Sequence, residues 1–121
     1  VLDQMKMYRV MRDMGSLQQF VSAWSDRAIP QDALIPAQEA ARILMRVVSE
    51  KLSQSVAEKQ IDVCVSHDLS LYLVRDRLLS ESPDQGPVEF LDALLAFRRD
   101  DRVWLQSART TPVDITAELE R

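Results

Sequence analysis

Glycine is nearly missing from this chain. Gly15 and Gly86 are the only two in 121 residues, whereas a loop that cradles phosphate needs several, because its backbone must approach the anion closely. Nucleotide-binding loops of that kind are excluded. A single cysteine, Cys64, excludes an internal disulfide framework and a cysteine-rich zinc site. Such a lone cysteine is expected as a small core residue. A single histidine, His67, has only Asp68 beside it as a second ligand type, and a metal centre needs several donors at matched spacing. The pattern implies neither metal nor cofactor. Long apolar runs are lacking too: none approaches the ~20 residues that cross a bilayer. With no such run, no membrane partner is expected; no basic-then-apolar leader is visible either. Val1 already stands inside a helix-like pattern, which places the expected natural start upstream of it. A reduced-looking cysteine and no visible leader favour the cytoplasm.

A surplus of positive charge is also lacking. Lys and Arg number 15 against 19 Asp and Glu, and the basic residues are scattered among acids, as in "RVMRD" and "RRDDR". Binding a phosphate backbone needs clustered Lys and Arg, so no nucleic-acid partner is expected. What is present is apolar material, 46% of the residues, an ordinary share for a globular protein, in a chain long enough for one domain with a core and too short for two.

That material is laid out mostly at helical spacing. Leu2, Met5, Tyr8 and Met11 share a helix face that Gly15 terminates. Ser16 is placed to cap a second helix, in which Leu17, Phe20, Val21 and Trp24 recur at i, i+3, i+4 and i+7. The two prolines of "SDRAIPQDALIP" mark a loop. Pro36 suits the first turn of a long helix over 36–55, with Ala37, Ala40, Ala41, Leu44, Val47, Val48 and Leu52 as its apolar stripe. After the polar link "VAEKQ", the run "IDVCVS" alternates Ile61, Val63 and Val65 with other residues. β-Branched alternation of this kind predicts a strand over 61–66, here expected to be buried on both faces.

"LSLYLVRDRLL" is apolar around more than half its circumference and predicts a largely buried helix over 69–79. "SESPDQGP" is turn chemistry. "VEFLDALLAF" and "RVWLQS" flank the polar "RRDD" and read as two strands joined by a tight turn. Residues 109–121 read as a polar, peripheral tail. The order implies an α/β domain, a layered helix/sheet/helix arrangement. Its parts are a helical, cap-like segment over 1–32, a core over 33–107 and a tail over 108–121. Leu44, Val48, Val63, Val65, Leu71 and Val74 are expected in the core. Three strands are too few for the helices offered, so the whole is expected to be a partial domain, completed by a missing amino-terminal half or a homodimer mate.

The chemistry concentrates at "VSHDLS", where the expected strand gives way to a helix. Unpaired N–H groups and the helix dipole favour an anion there. A histidine at that point can donate a hydrogen bond to a phosphoryl oxygen, and a neighbouring carboxylic acid can protonate a leaving group. A structural reading stands beside it: Asp68 and Ser70 are good N-cap residues, and His67 could bond a nearby carbonyl. Ser66, His67 and Asp68 do not form a catalytic triad, since consecutive residues cannot adopt the relay geometry. Trp24 and Trp104 read as packing residues, Glu39 and Asp92 as solvated or capping ones, and Met5, Met7, Met11 and Met14 as flexible core filling.

The run "IDVCVSHDLSLYLVRDRLL" resembles the second histidine motif of the histidine phosphatase superfamily, the phosphoglycerate-mutase-like fold. "IPAQEAARILMRVVSEKL" is similar to the helix that leads into that motif. "PVEFLDALLAFRRDDRVWLQ" is similar to the hairpin that follows, so the likeness covers roughly residues 33–107. It implies the carboxy-terminal half of a hydrolase, a phosphatase acting on a phosphorylated small molecule. His67 would then bind the phosphoryl group, with Ser66 beside it in the phosphate-binding motif, and Asp68 would donate the proton. The family's nucleophilic histidine, in Arg-His-Gly, is absent from these residues, so the chain alone is expected to be inactive. Two other readings stand: a non-catalytic phosphate-binding relative, and a helical interaction module in which Ser66–Asp68 only begin a helix.

Overall fold

Asp3 starts the first helix by accepting the Lys6 N–H at 3.0 Å on its side chain, which satisfies one of the four donors a helix leaves unpaired at its beginning. The computed structural model describes residues 3–26, 28–30, 32, 34–54, 60–89 and 91–120. Helix α1, Gln4–Met14, ends at Gly15 in the left-handed region, with φ 83°. Ser16 then caps α2, Leu17–Ser25, through a 3.1 Å bond from Gln19 N–H. Both boundaries fall where the sequence placed them. Leu2 and residues 56–59 of the polar link lie outside the described residues.

Phe20, Val21 and Trp24 point from α2 into the core. The indole N–H of Trp24 donates to Ile35 O at 2.7 Å and so ties α2 to the loop before the next helix. That helix, α3, spans Ala37–Ser53 and buries Ala37, Ala41 and Met45. The expected stripe is off by part of a turn. Val47 is 56% exposed, because at 100° per residue it lies well off the line through Ala37, Ala41, Val48 and Leu52. Met45 lies near that line and is buried in its place.

Helix α4, Asp68–Leu79, packs against α3 and α2 and buries Tyr72, Leu73, Val74, Arg75, Leu78 and Leu79. It is the largely buried helix that its composition predicts. Ser80 closes it at φ 57°, and a short 3-10 turn follows at Pro83–Gln85.

The described residues form one sheet of three antiparallel strands in the order β1-β2-β3: Leu95–Arg99, Arg102–Gln106 and Val113–Asp114. Asp100 and Asp101, at φ 54° and 62°, make the two-residue turn between β1 and β2, the hairpin connection whose twist matches its strands. The first strand starts later than "VEFLDALLAF" suggested, since Asp92 N–H bonds Glu89 O and Leu91 adopts φ 65°. Val103 and Leu105 turn from β2 into the core. The expected peripheral tail is corrected as well. It supplies β3 and a short helix α5, Thr116–Leu119, and Ile115 is among the most buried side chains, at 1% exposure.

The largest correction concerns residues 61–66. They run without a turn or bend but pair with no described strand, and every residue from Ile61 to Asp68 is exposed. Ile61, Val63 and Val65 are 91%, 85% and 94% accessible, and Cys64 is exposed rather than in the core. The reason is physical. A β-branched alternation favours extended backbone, but a strand exists only where a neighbour takes its N–H and C=O groups. Of the expected core residues, Val74 is fully buried. Leu44, Val48 and Leu71 are half-buried, and Val63 and Val65 are outside. The fold is thus mixed α/β with a purely antiparallel sheet.

Candidate functional site

His67 occupies the N-cap position of α4 in extended backbone, with φ −91° and ψ 156°. Its carbonyl accepts Ser70 N–H at 3.0 Å and Leu71 N–H at 3.4 Å, which opens the helix. Its ring makes no capping hydrogen bond. Asp68 is therefore the first helical residue, not the cap that the sequence suggested, and its carboxylate accepts Leu69 N–H at 3.0 Å. A carboxylate in the first helical turn also interacts well with the helix dipole.

Ser66, His67 and Asp68 face solvent side by side. What the fold adds is a cavity one helical turn further along. His67, Leu71 and Arg75 are spaced i, i+4, i+8 and so lie on one face of α4. Leu71 and Arg75 line a cavity of about 110 Å³, together with Glu81, Val88, Glu89, Asp92, Leu94, Ser107 and Arg109 among others. That is room for roughly three or four waters.

The cavity floor is charged. Arg75 and Glu81 are both buried, at 7% and 6% exposure, with Nη2 to Oε2 at 3.5 Å. Ser107, also buried, donates its hydroxyl to the other Glu81 oxygen. Glu81 N–H reaches Arg75 O at 2.9 Å. The backbone and side chains thus lock the end of α4 to the end of β2. Arg109 lies at the rim and donates to Gln85 O at 2.9 Å. This cluster was not singled out from the sequence. The 67/71/75 spacing carries a signal, but Glu81 and Ser107 meet Arg75 only through the chain's return.

Asp92 caps a turn by accepting Glu89 N–H at 2.7 Å. Trp24 is a packing residue. Trp104 is half-buried, and its Nε1 is the one buried side-chain polar atom without a partner among the described residues. No group of three or more His, Cys, Asp or Glu side chains converges to hold a metal among the described residues. No helix there is long and apolar enough to cross a membrane. Compared with known proteins, the chain matches no family model, no curated protein and no solved structure.

Proposed function

We propose that this chain is the carboxy-terminal half of a histidine phosphatase that hydrolyses a phosphate monoester, with a nucleophilic histidine supplied from outside these 121 residues. The observation that carries the reading is the state of His67. It stands at the start of a 12-residue helix, exposed, with a ring that makes no capping hydrogen bond. A side chain in the cap position that does not cap is available for a ligand, and the ligand this position favours is an anion.

On this reading the external imidazole attacks phosphorus, forming a P–N bond as the ester P–O bond breaks. His67 hydrogen-bonds the phosphoryl oxygens and stabilises their charge. Ser66 sits beside it at the phosphate. Asp68 gives a proton to the departing alkoxide. Water then attacks phosphorus while the Asp68 carboxylate takes its proton, the P–N bond breaks, and inorganic phosphate leaves with both histidine and acid restored. The complete domain would have the layered helix/sheet/helix architecture of the phosphoglycerate-mutase-like fold. The substrate would be a phosphorylated small molecule.

The test uses Asp68→Asn in the protein that includes the nucleophile. Asn keeps the local acceptor for Leu69 N–H but cannot release a proton at neutral pH. Turnover on a monoester with a poor leaving group is expected to fall by about 10²–10⁴, while a nitrophenyl phosphate, whose oxygen needs no proton, suffers far less. Equal losses on both substrates would remove Asp68 from the donor role. Unchanged activity on both would overturn the assignment. A His67 ring that shows no NMR response to saturating phosphate or vanadate would make that residue structural and leave the interaction-module reading.

A further inference from the structure

The extended run 61–66 is amphipathic: Ile61, Val63 and Val65 lie on one side, Asp62, Cys64 and Ser66 on the other. Both sides are in water. The sheet has a complementary vacancy, since β1 is its first strand and leaves one edge without a described neighbour. Cross-strand pairing sorts the residues of β1. Ala96 and Arg98 stand opposite Leu105 and Val103, on the core side, where Arg98 donates to Ser53 Oγ at 2.8 Å. Leu95, Phe97 and Arg99 stand on the other side with Trp104, and Leu95 is 57% exposed. The Arg99 guanidinium lies over the Phe97 and Trp104 rings, 5.6 and 6.0 Å from their centroids.

We infer that two copies of this chain associate by exchanging residues 61–66, each laying that run antiparallel along the open edge of the other's β1. One register satisfies both faces at once. It sets Val63 opposite Phe97 and Val65 opposite Leu95, which extends the apolar outer face. It sets Asp62 opposite Arg98 and Cys64 opposite the small Ala96 on the core side. Opposite charges and aromatic–β-branched contacts are the pairs that stabilise neighbouring strands. A second copy rather than the same chain supplies the strand because the run does not lie along its own β1. Within one chain, residues 61–66 stand in water and pair with no described strand, while the run and the β1 edge it matches both belong to every copy, so two copies can satisfy each other symmetrically. The exchange is isologous, so it closes at two copies and covers the β1 edge of each. It rests on the exposed extended run and on a β1 edge without a described neighbour, and stands apart from the phosphatase reading.

The 121-residue chain is expected to sediment as a concentration-dependent dimer. Its Cys64 thiol, open to a disulfide reagent in the monomer, is expected to slow in labelling as the dimer forms. Ala96→Cys should give a disulfide to Cys64 between chains, seen as a mixed species when tagged and untagged copies are oxidised together. Asp62→Arg faces Arg98 with like charge at two symmetry-related places and should weaken association roughly tenfold. Asp62→Arg combined with Arg98→Asp should restore it. A monomer at every accessible concentration would overturn the inference. So would a dimer in which Cys64 labels at the monomer rate, or an Ala96→Cys variant whose new thiol bonds Cys64 within one chain.

Discussion

At the scale of single residues, Glu81 is a buried charge that ties two elements together. It is buried, paired with Arg75 and bonded by Ser107. Removing one partner of a buried pair leaves the other charge without compensation, which typically costs about 3–5 kcal/mol. Glu81→Ala is therefore expected to lower the unfolding free energy by about that amount in a urea titration, while Ser107→Ala costs about 1 kcal/mol, in line with the loss of one hydrogen bond. Asp114 makes a different prediction. Its carboxyl is held down at about 2 by the Arg102 guanidinium first and then by the Thr116 hydroxyl and N–H. A depressed carboxyl stabilises the fold above its unfolded value of about 3.9, and the contribution is lost as pH falls through about 2. Urea midpoints should therefore fall between about pH 4 and pH 2, and Asp114→Asn should flatten that limb. Asp32, held below the usual carboxylate value by Lys6 Nζ at 2.5 Å, slopes in the same direction.

At the scale of elements, helices were more legible than strands. Gly15, Ser16 and Pro36 mark their boundaries by local chemistry, since a left-handed terminator, a side-chain cap and a missing N–H each act within a few residues. Strand residues carry no such local closure. "RVWL" became β2 because β1 and β3 lie on both sides of it, while "IDVCVS", with the stronger β-branched alternation, stayed single. The segment over 109–121 was misjudged by the same logic: its composition is polar, yet Ile115 N–H bonds Val103 O at 2.9 Å and the side chain seals the core beside Leu105. Ile115→Ala is expected to cost about 2–5 kcal/mol. A chain truncated after Pro112 should lose cooperative unfolding, as followed by near-ultraviolet circular dichroism.

At the scale of the whole molecule, one core joins the three regions that composition separates. Phe20 and Trp24 from the first, Ala41 and Leu73 from the second and Ile115 from the last pack in one cluster. The cap-like segment and the tail are thus parts of the same packed body. Charge balance, the scarcity of glycine and the single histidine were fixed in the sequence, and with them the exclusion of phosphate loops and the choice of Ser66–Asp68 as the place to look. The run of apolar positions at helical spacing also determined four of the helices, because a helix closes its hydrogen bonds within itself. Tertiary structure alone decided that Arg75, Glu81 and Ser107 meet around a cavity, that Ile115 is interior, and that 61–66 lies in water. Those outcomes depend on what comes alongside, and the hydrogen bonds of a strand, like the neutralisation of a buried charge, are completed by residues distant in the chain.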